Sequence, residues 1–214
     1  MNIKLVIFDM DGVLVDACEW HKDALNAALL ELCNYKISEE EHYSVFNGLP
    51  TKTKLQKLSE LGIVPKDEKI HKQINNLKQE KTIEIIQEKA QYDNSKVDLI
   101  LWLKSRNIKV ACFTNSIRKT AELMLDKAGV LSKLDLLVTN QDVKNPKPDP
   151  EGYFKVLKHF NIDPQDAIIV EDSPKGLKAA TATECSVLKV DNATQVHTEN
   201  MRRFLNESFN SNGR

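Results

Sequence analysis

Residues 5–11 read Leu-Val-Ile-Phe-Asp-Met-Asp, four apolar residues running directly into two carboxylates, with Gly12 immediately after. A run without polar alternation suits a strand buried on both faces, the kind found inside a parallel sheet. An unpaired carboxylate at the end of such a strand costs several kcal/mol, on the order of a domain's whole stability margin. A chain that keeps both Asp9 and Asp11 there must supply counter-charge, from its own cations or from a ligand.

From about residue 95 onward, helical patterns alternate with short apolar runs, which predicts an α/β fold with a parallel sheet flanked by helices. The strands are expected at Leu5–Phe8, Lys109–Phe113, Leu134–Val138, Ala167–Val170 and Val187–Val190. Asp149-Pro150 and Ser173-Pro174 each read as a helix start, a capping side chain followed by proline at the first helical position. Residues 17–92 break the alternation with successive helical periodicities and no convincing strand. Leu25, Ala28, Leu29 and Leu32 recur at i, i+3, i+4 and i+7 as a core stripe, and Ile70, Ile74 and Leu77 do so in part. Ser38 and Glu41 form a capping-box pattern, while Asn47–Pro50 and Gly62–Asp67 read as loops. The expected organisation is a core of residues 1–16 and 93–214 with an α-helical insertion of residues 17–92, hinged near Val15–Cys18 and Tyr92–Lys96. The polar tail, Asn206–Arg214, is expected to fray.

Composition narrows the partners. With 41% hydrophobic residues the chain can bury a large core, and 30 basic against 31 acidic residues leave a net charge of -1. Such a balance gives no general attraction to nucleic acid or to an anionic membrane, so an anionic ligand must be held by a local site. The opening apolar run is too short for a secretory signal or a spanning helix, and a cytoplasmic monomer is expected. Cys18, Cys33, Cys112 and Cys185 lie far apart, as reduced thiols do, rather than as a disulfide frame or zinc site.

In open parallel sheets ligands bind beyond the carboxyl ends of the strands. The residues that follow the strands here are Asp9, Asp11 and Gly12; Thr114, Asn115 and Ser116; Lys147 between two prolines; and Glu171, Asp172 and Ser173. Two like charges about 4 Å apart repel by roughly 4 kcal/mol at an effective dielectric near 20, so clustered acids admit a phosphate only with help. A divalent cation and a lysine reverse the sign. Mg2+ takes oxygen ligands, and the carboxylates of Asp9 and Asp172 with the backbone carbonyl of Asp11 suit it. A calcium loop fits poorly, because it requires glycine at its sixth position and glutamate at its twelfth; counted from Asp9, Gly12 is fourth and Trp20 twelfth. Capping of a turn by Asp9 and Asp11 is the plainer alternative, and it leaves Lys147 and Asp172 without a reason.

Four segments, DMDGVLVD from Asp9, TNS from Thr114, KPDP from Lys147 and EDSPKG from Glu171, match in order and spacing the signatures of a known family. The chain resembles the haloacid dehalogenase superfamily, in its phosphatase and phosphomutase branch with a helical cap. The resemblance implies a Rossmann-like core with a cap that closes over the site. It implies Asp9 as nucleophile and Asp11 as general acid and then base, with Asp11 holding its proton more firmly than Asp9. Thr114 would hold a phosphate oxygen beside Asn115 and Ser116, Lys147 would balance charge, and Asp9, Asp11, Glu171 and Asp172 would hold Mg2+. Asp16 is expected to serve a turn or hinge.

In the cap, His21 and Lys78 stand where sugar-phosphate mutases carry a histidine and a lysine, and Thr51 and Lys52 could reach a substrate. The implied activity is magnesium-dependent hydrolysis of a small phosphorylated metabolite, a sugar phosphate among the candidates. A β-phosphoglucomutase-like activity is the alternative, although Asp16 is followed by Ala17 instead of threonine and the arginine expected near Gly48 is replaced around Thr51. A dehalogenase needs no metal, so Glu171 and Asp172 count against it. A non-catalytic binding protein would be favoured by loss of Asp9 or Asp172, and both are present.

Overall fold

The computed structural model describes residues 3–46 and 49–210. Leu5–Phe8 forms strand β1 with every side chain buried. The chain then enters α1 (Cys18–Cys33), the single-turn α2 (Glu39–Glu41) leading into a π-helical turn at His42–Phe46, α3 (Thr51–Glu60) and α4 (Glu68–Lys89). It continues through α5 (Asn94–Lys104), β2 (Lys109–Phe113), α6 (Arg118–Lys127), β3 (Leu136–Val138) and α7 (Glu151–Phe160). The last elements are β4 (Ala167–Glu171), α8 (Pro174–Thr181), β5 (Ser186–Lys189) and α9 (Thr198–Asn210). Two compact units result, Met1–Asp16 with Gln91–Arg214, and Ala17–Ala90.

In the helical unit α1 lies against α4, around a core that includes Leu25, Leu29, Phe46, Leu58 and Ile74. The Ser38–Glu41 capping box is present. Leu32 departs from the expected stripe, being 44% exposed. The edge of the core at the end of α1 is covered instead by Cys33 and Tyr35, so the last turn has nothing left to bury Leu32 against. Of the loop Asn47–Pro50, Asn47 and Gly48 lie outside the described residues.

The sheet unit holds five parallel strands in the order β3-β2-β1-β4-β5, with β1 at the centre. Phe8 is level with Cys112 of β2 and Val170 of β4, so Asp9, Phe113 and Glu171 come next along three adjacent strands. Since side chains alternate between faces, Leu5, Ile7, Ala111, Phe113, Ala167 and Ile169 share one face and one core cluster with Tyr153 of α7. Glu171 belongs to that face by the same alternation.

Several boundaries differ from the expectation. β3 begins at Leu136 and not Leu134, because the Asp135 carboxylate accepts the Val110 N–H at 2.8 Å in place of a backbone partner. β4 extends through Glu171, which pairs with Lys189, and β5 is shifted one residue toward the N-terminus. Ser173 caps α8 as expected, whereas α7 begins at Glu151, one residue beyond Pro150, with the Asp149 carboxylate accepting the Glu151 N–H at 2.9 Å. The tail is helical to Asn210 rather than frayed, and residues 211–214 lie outside the description. Cys33, Cys112 and Cys185 are free thiols, and no described helix is long and apolar enough to cross a membrane.

Candidate active site

The end of β1 turns sharply. Gly12 takes a φ of 85°, a left-handed conformation that glycine adopts without strain, and its N–H reaches the Val15 carbonyl at 2.7 Å. The Met10 carbonyl accepts from Leu14 and Val15 at 2.9 Å each. This tight loop explains why a glycine follows the two aspartates, and it fixes both at the strand end.

Asp9 is buried, and its backbone N–H still joins the sheet through the Val170 carbonyl at 2.9 Å. Its Oδ1 lies 2.5 Å from Nζ of Lys147, which is also buried. The same ammonium stands 2.6 Å from Glu171 Oε1. Lys147 thus supplies the counter-charge that the strand end demanded, and it is shared between two acids. Burial pushes the Asp9 carboxyl well up; the Lys147 ammonium opposes this, and Glu171 and Asp11 reinforce it. Burial alone would lower the Lys147 ammonium, but the facing Asp9, Tyr153 and Glu171 outweigh it and keep the lysine charged.

Glu171 is wholly enclosed. Its Oε1 accepts from Lys147 and from the Tyr153 hydroxyl at 2.9 Å. Its Oε2 accepts from the N–H groups of Asp172 at 3.0 Å and Ser173 at 3.2 Å, and from the Ser173 hydroxyl at 3.2 Å. A Cβ on Gly176 would run into this carboxylate, so glycine at the start of α8 is what leaves it room.

Asp11 turns to a different set of partners, accepting on Oδ2 from the Ser116 hydroxyl at 3.1 Å and the Thr114 hydroxyl at 3.5 Å. The Thr114 oxygen also accepts the Ser116 N–H at 3.0 Å, which ties the loop after β2 into one piece. Asn115, expected beside a substrate, has its amide engaged by the Lys147 backbone: its Oδ1 accepts from the Lys147 N–H at 2.9 Å, and its Nδ2 donates to the Lys147 carbonyl at 3.0 Å. Asn115 therefore fixes the loop that carries the lysine.

The metal expectation can be tested on the donors. Carboxylate oxygens of Asp9, Glu171 and Asp172 lie within 4.8 Å of one another. Glu171 is close but spoken for, since both its oxygens already accept protein donors. Asp172 Oδ1 is buried with no hydrogen-bond partner, and burial together with Glu171 raises its carboxyl to about 6. An orphan acid oxygen beside a second carboxylate is what a hard divalent cation satisfies, so Asp9 and Asp172 fit Mg2+. The Asp11 carboxylate is not in this group.

Among the residues expected in the helical insertion, His21 and Lys78 come together, with Nζ 3.3 Å from Nδ1 and Lys78 buried. Thr51 opens α3 at half-burial and Lys52 is exposed there. Sequence reasoning passed over Tyr153 and Gly176. A usable signal existed for the first, because a tyrosine on the apolar face of a helix must find a partner for its hydroxyl.

A family model for haloacid dehalogenase-like hydrolases matches residues 6–190. A phosphorylated carbohydrates phosphatase of Thermotoga maritima is 31% identical over 179 residues, which is 83% of this chain and 80% of that protein. A pyrophosphatase, PpaX, of Bacillus velezensis is 28% identical over 180 residues, 80% of this chain and 76% of that one. Among solved structures, a β-phosphoglucomutase from Clostridium difficile has the same fold, with a TM-score of 0.78 at 24% identity, over 97% of this chain and 99% of that one. The family model spanning residues 6–190, together with a 31% identical relative covered over most of its length, identifies this chain as a member of the haloacid dehalogenase-like hydrolase family.

Proposed function

We propose that the protein is a magnesium-dependent phosphatase acting on a small phosphorylated carbohydrate through a covalent phosphoryl-enzyme intermediate on Asp9. The observation that carries this reading is Lys147 held between Asp9 and Glu171, with the unpartnered Asp172 oxygen beside them. The carbohydrate class is supported by the 31% identical Thermotoga maritima relative, whose name gives it that substrate class.

Asp9 and Asp172 would hold the cation with the Asp11 carbonyl, and the cation would offset the charge of the acids and of the phosphate. An Asp9 carboxylate oxygen attacks phosphorus, forming a P–O bond as the bond to the leaving alcohol breaks. Asp11, steadied by Ser116 and Thr114, gives its proton to the departing oxygen. The resulting Asp11 carboxylate then takes a proton from water, whose oxygen displaces Asp9 and releases inorganic phosphate. Lys147 stays positive throughout and stabilises charge on the transferring group. Thr114 and Ser116 orient the loop that meets the phosphate.

Recognition of the remainder of the substrate is assigned to His21, Lys78, Thr51 and Lys52 of the helical unit. The His21–Lys78 pair also favours a second reading, transfer of the phosphoryl group back to a sugar in the manner of a β-phosphoglucomutase. Release of inorganic phosphate from a panel of phosphate monoesters, with and without Mg2+, tests the first reading. Magnesium-dependent release from sugar phosphates is expected, and no release from any ester would overturn it. Isomerised sugar phosphate formed in the presence of a hexose bisphosphate would move the assignment to the second.

A further inference from the structure

Lys147 is enclosed by more than its two acids. Its Nζ lies 4.9 Å from the Phe113 ring centroid and 5.1 Å from that of Tyr153, and these rings meet edge-to-face at 4.9 Å. Both rings belong to the apolar core beneath the strand ends, and Tyr153 is fully buried. The ammonium is thus clasped by two carboxylates on one side and two π faces on the other, an arrangement that favours a cation where water cannot reach it. Two glycines make the arrangement possible. A Cβ on Gly152 would strike the Phe113 ring, and one on Gly176 would strike the Glu171 carboxylate.

The Tyr153 hydroxyl donates to Glu171 Oε1, the same oxygen that receives Lys147. With Oε2 held by the Asp172 and Ser173 N–H groups and the Ser173 hydroxyl, five donors pin this carboxylate facing the lysine. We infer that Tyr153 is a positioning residue: its hydroxyl fixes Glu171 toward Lys147, so that Glu171 aligns the lysine at Asp9 instead of serving as a ligand to the cation. The inference deepens the proposed phosphatase reading and rests on it for its kinetic consequence, but not for its structural one.

The test is Tyr153→Phe, which removes one hydroxyl and preserves the ring, read first in the metal-free protein. In a nitrogen-15 NMR spectrum of lysine side chains, with the Lys147 signal identified by its loss in Lys147→Met, the variant should shift that signal and speed its hydrogen exchange. The kinetic expectation is a fall in kcat of about tenfold, the scale of one hydrogen bond to a charged group, with KM within about twofold. Affinity for Mg2+ alone, measured calorimetrically, should stay within about twofold, because the hydroxyl acts on the lysine and not on the cation. Glu171→Gln serves as the second variant should the first lose its fold, and it should move the same Lys147 signal while retaining measurable Mg2+ binding. An unmoved Lys147 signal in the folded variant would overturn the inference, as would loss of Mg2+ binding in Glu171→Gln. A moved signal in a protein that hydrolyses no phosphate ester would leave the positioning role standing and remove the phosphatase reading alone.

Discussion

Two buried lysines, Lys22 in the helical unit and Lys147 in the sheet unit, are neutralised in opposite ways. In the helical unit, Lys22 is buried, yet its nitrogen lies 2.7 Å from Glu39, an acid that is 71% exposed, and it also pairs with the half-exposed Glu19. Each charge there meets an opposite one at the protein surface, and the cluster needs nothing from outside. At the strand ends of the sheet unit, one lysine faces Asp9 and Glu171, with Asp11 and Asp172 close by, so negative charge accumulates in a dry place. Local neutralisation is a stability device, whereas an uncompensated buried cluster marks a place where a ligand's charge completes the site.

That contrast can be broken by experiment. The largest effect is expected from Asp9→Asn, which should lower kcat by about a thousandfold or more in a phosphate-release assay while the fold persists. Asp172→Asn should weaken Mg2+ binding by about a hundredfold, measured by calorimetry. With Asp172 raised to about 6, proton and cation compete for it, so Mg2+ affinity should fall about tenfold between pH 7 and pH 5. The stability consequence has the opposite sense. Without metal, the folded protein holds a proton on Asp172 that the unfolded chain has shed between pH near 4 and 6, so its stability should decline as pH rises through that window.

Gly176→Ala should destabilise by about 2 kcal/mol in urea unfolding, since the new methyl meets an immovable carboxylate. On the helical side, Lys78→Met should raise KM for a sugar phosphate about tenfold and leave turnover of p-nitrophenyl phosphate within about twofold. Equal loss with both substrates would remove the substrate-recognition role proposed for Lys78. The smallest effect belongs to the exposed Leu32, where Leu32→Ala should shift stability by no more than about 0.5 kcal/mol.

The strand ends were legible because their chemistry is written in contiguous residues. A buried run that stops at Asp9 and an acid pair after Val170 mark neighbouring strand ends that parallel register brings together, and the lysine between prolines reaches them on the loop after β3 that Asn115 holds. What was not legible depends on which way a side chain faces. Glu171 and Asp172 are neighbours in sequence, but β4 extends one residue further than its apolar run. That turns Glu171 into the core against Tyr153 and leaves an Asp172 oxygen without a protein partner. Asn115 sits beside Thr114 in sequence, yet its amide is spent on the Lys147 backbone, 32 residues away. The stripe through Leu32 failed for a related reason: periodicity shows the face of a helix, but not where the core covering that face ends.

The central claim is that phosphorus becomes bonded to Asp9. The direct measurement is acid quench of Asp11→Asn after mixing with Mg2+ and p-nitrophenyl phosphate, whose leaving group departs without a proton, followed by mass spectrometry of the peptide containing Asp9. A gain of one phosphoryl group on that aspartate, absent when Asp9 is also replaced by asparagine, is the predicted result. Release of p-nitrophenol with no phosphoryl group on the peptide at any quench time would contradict the account.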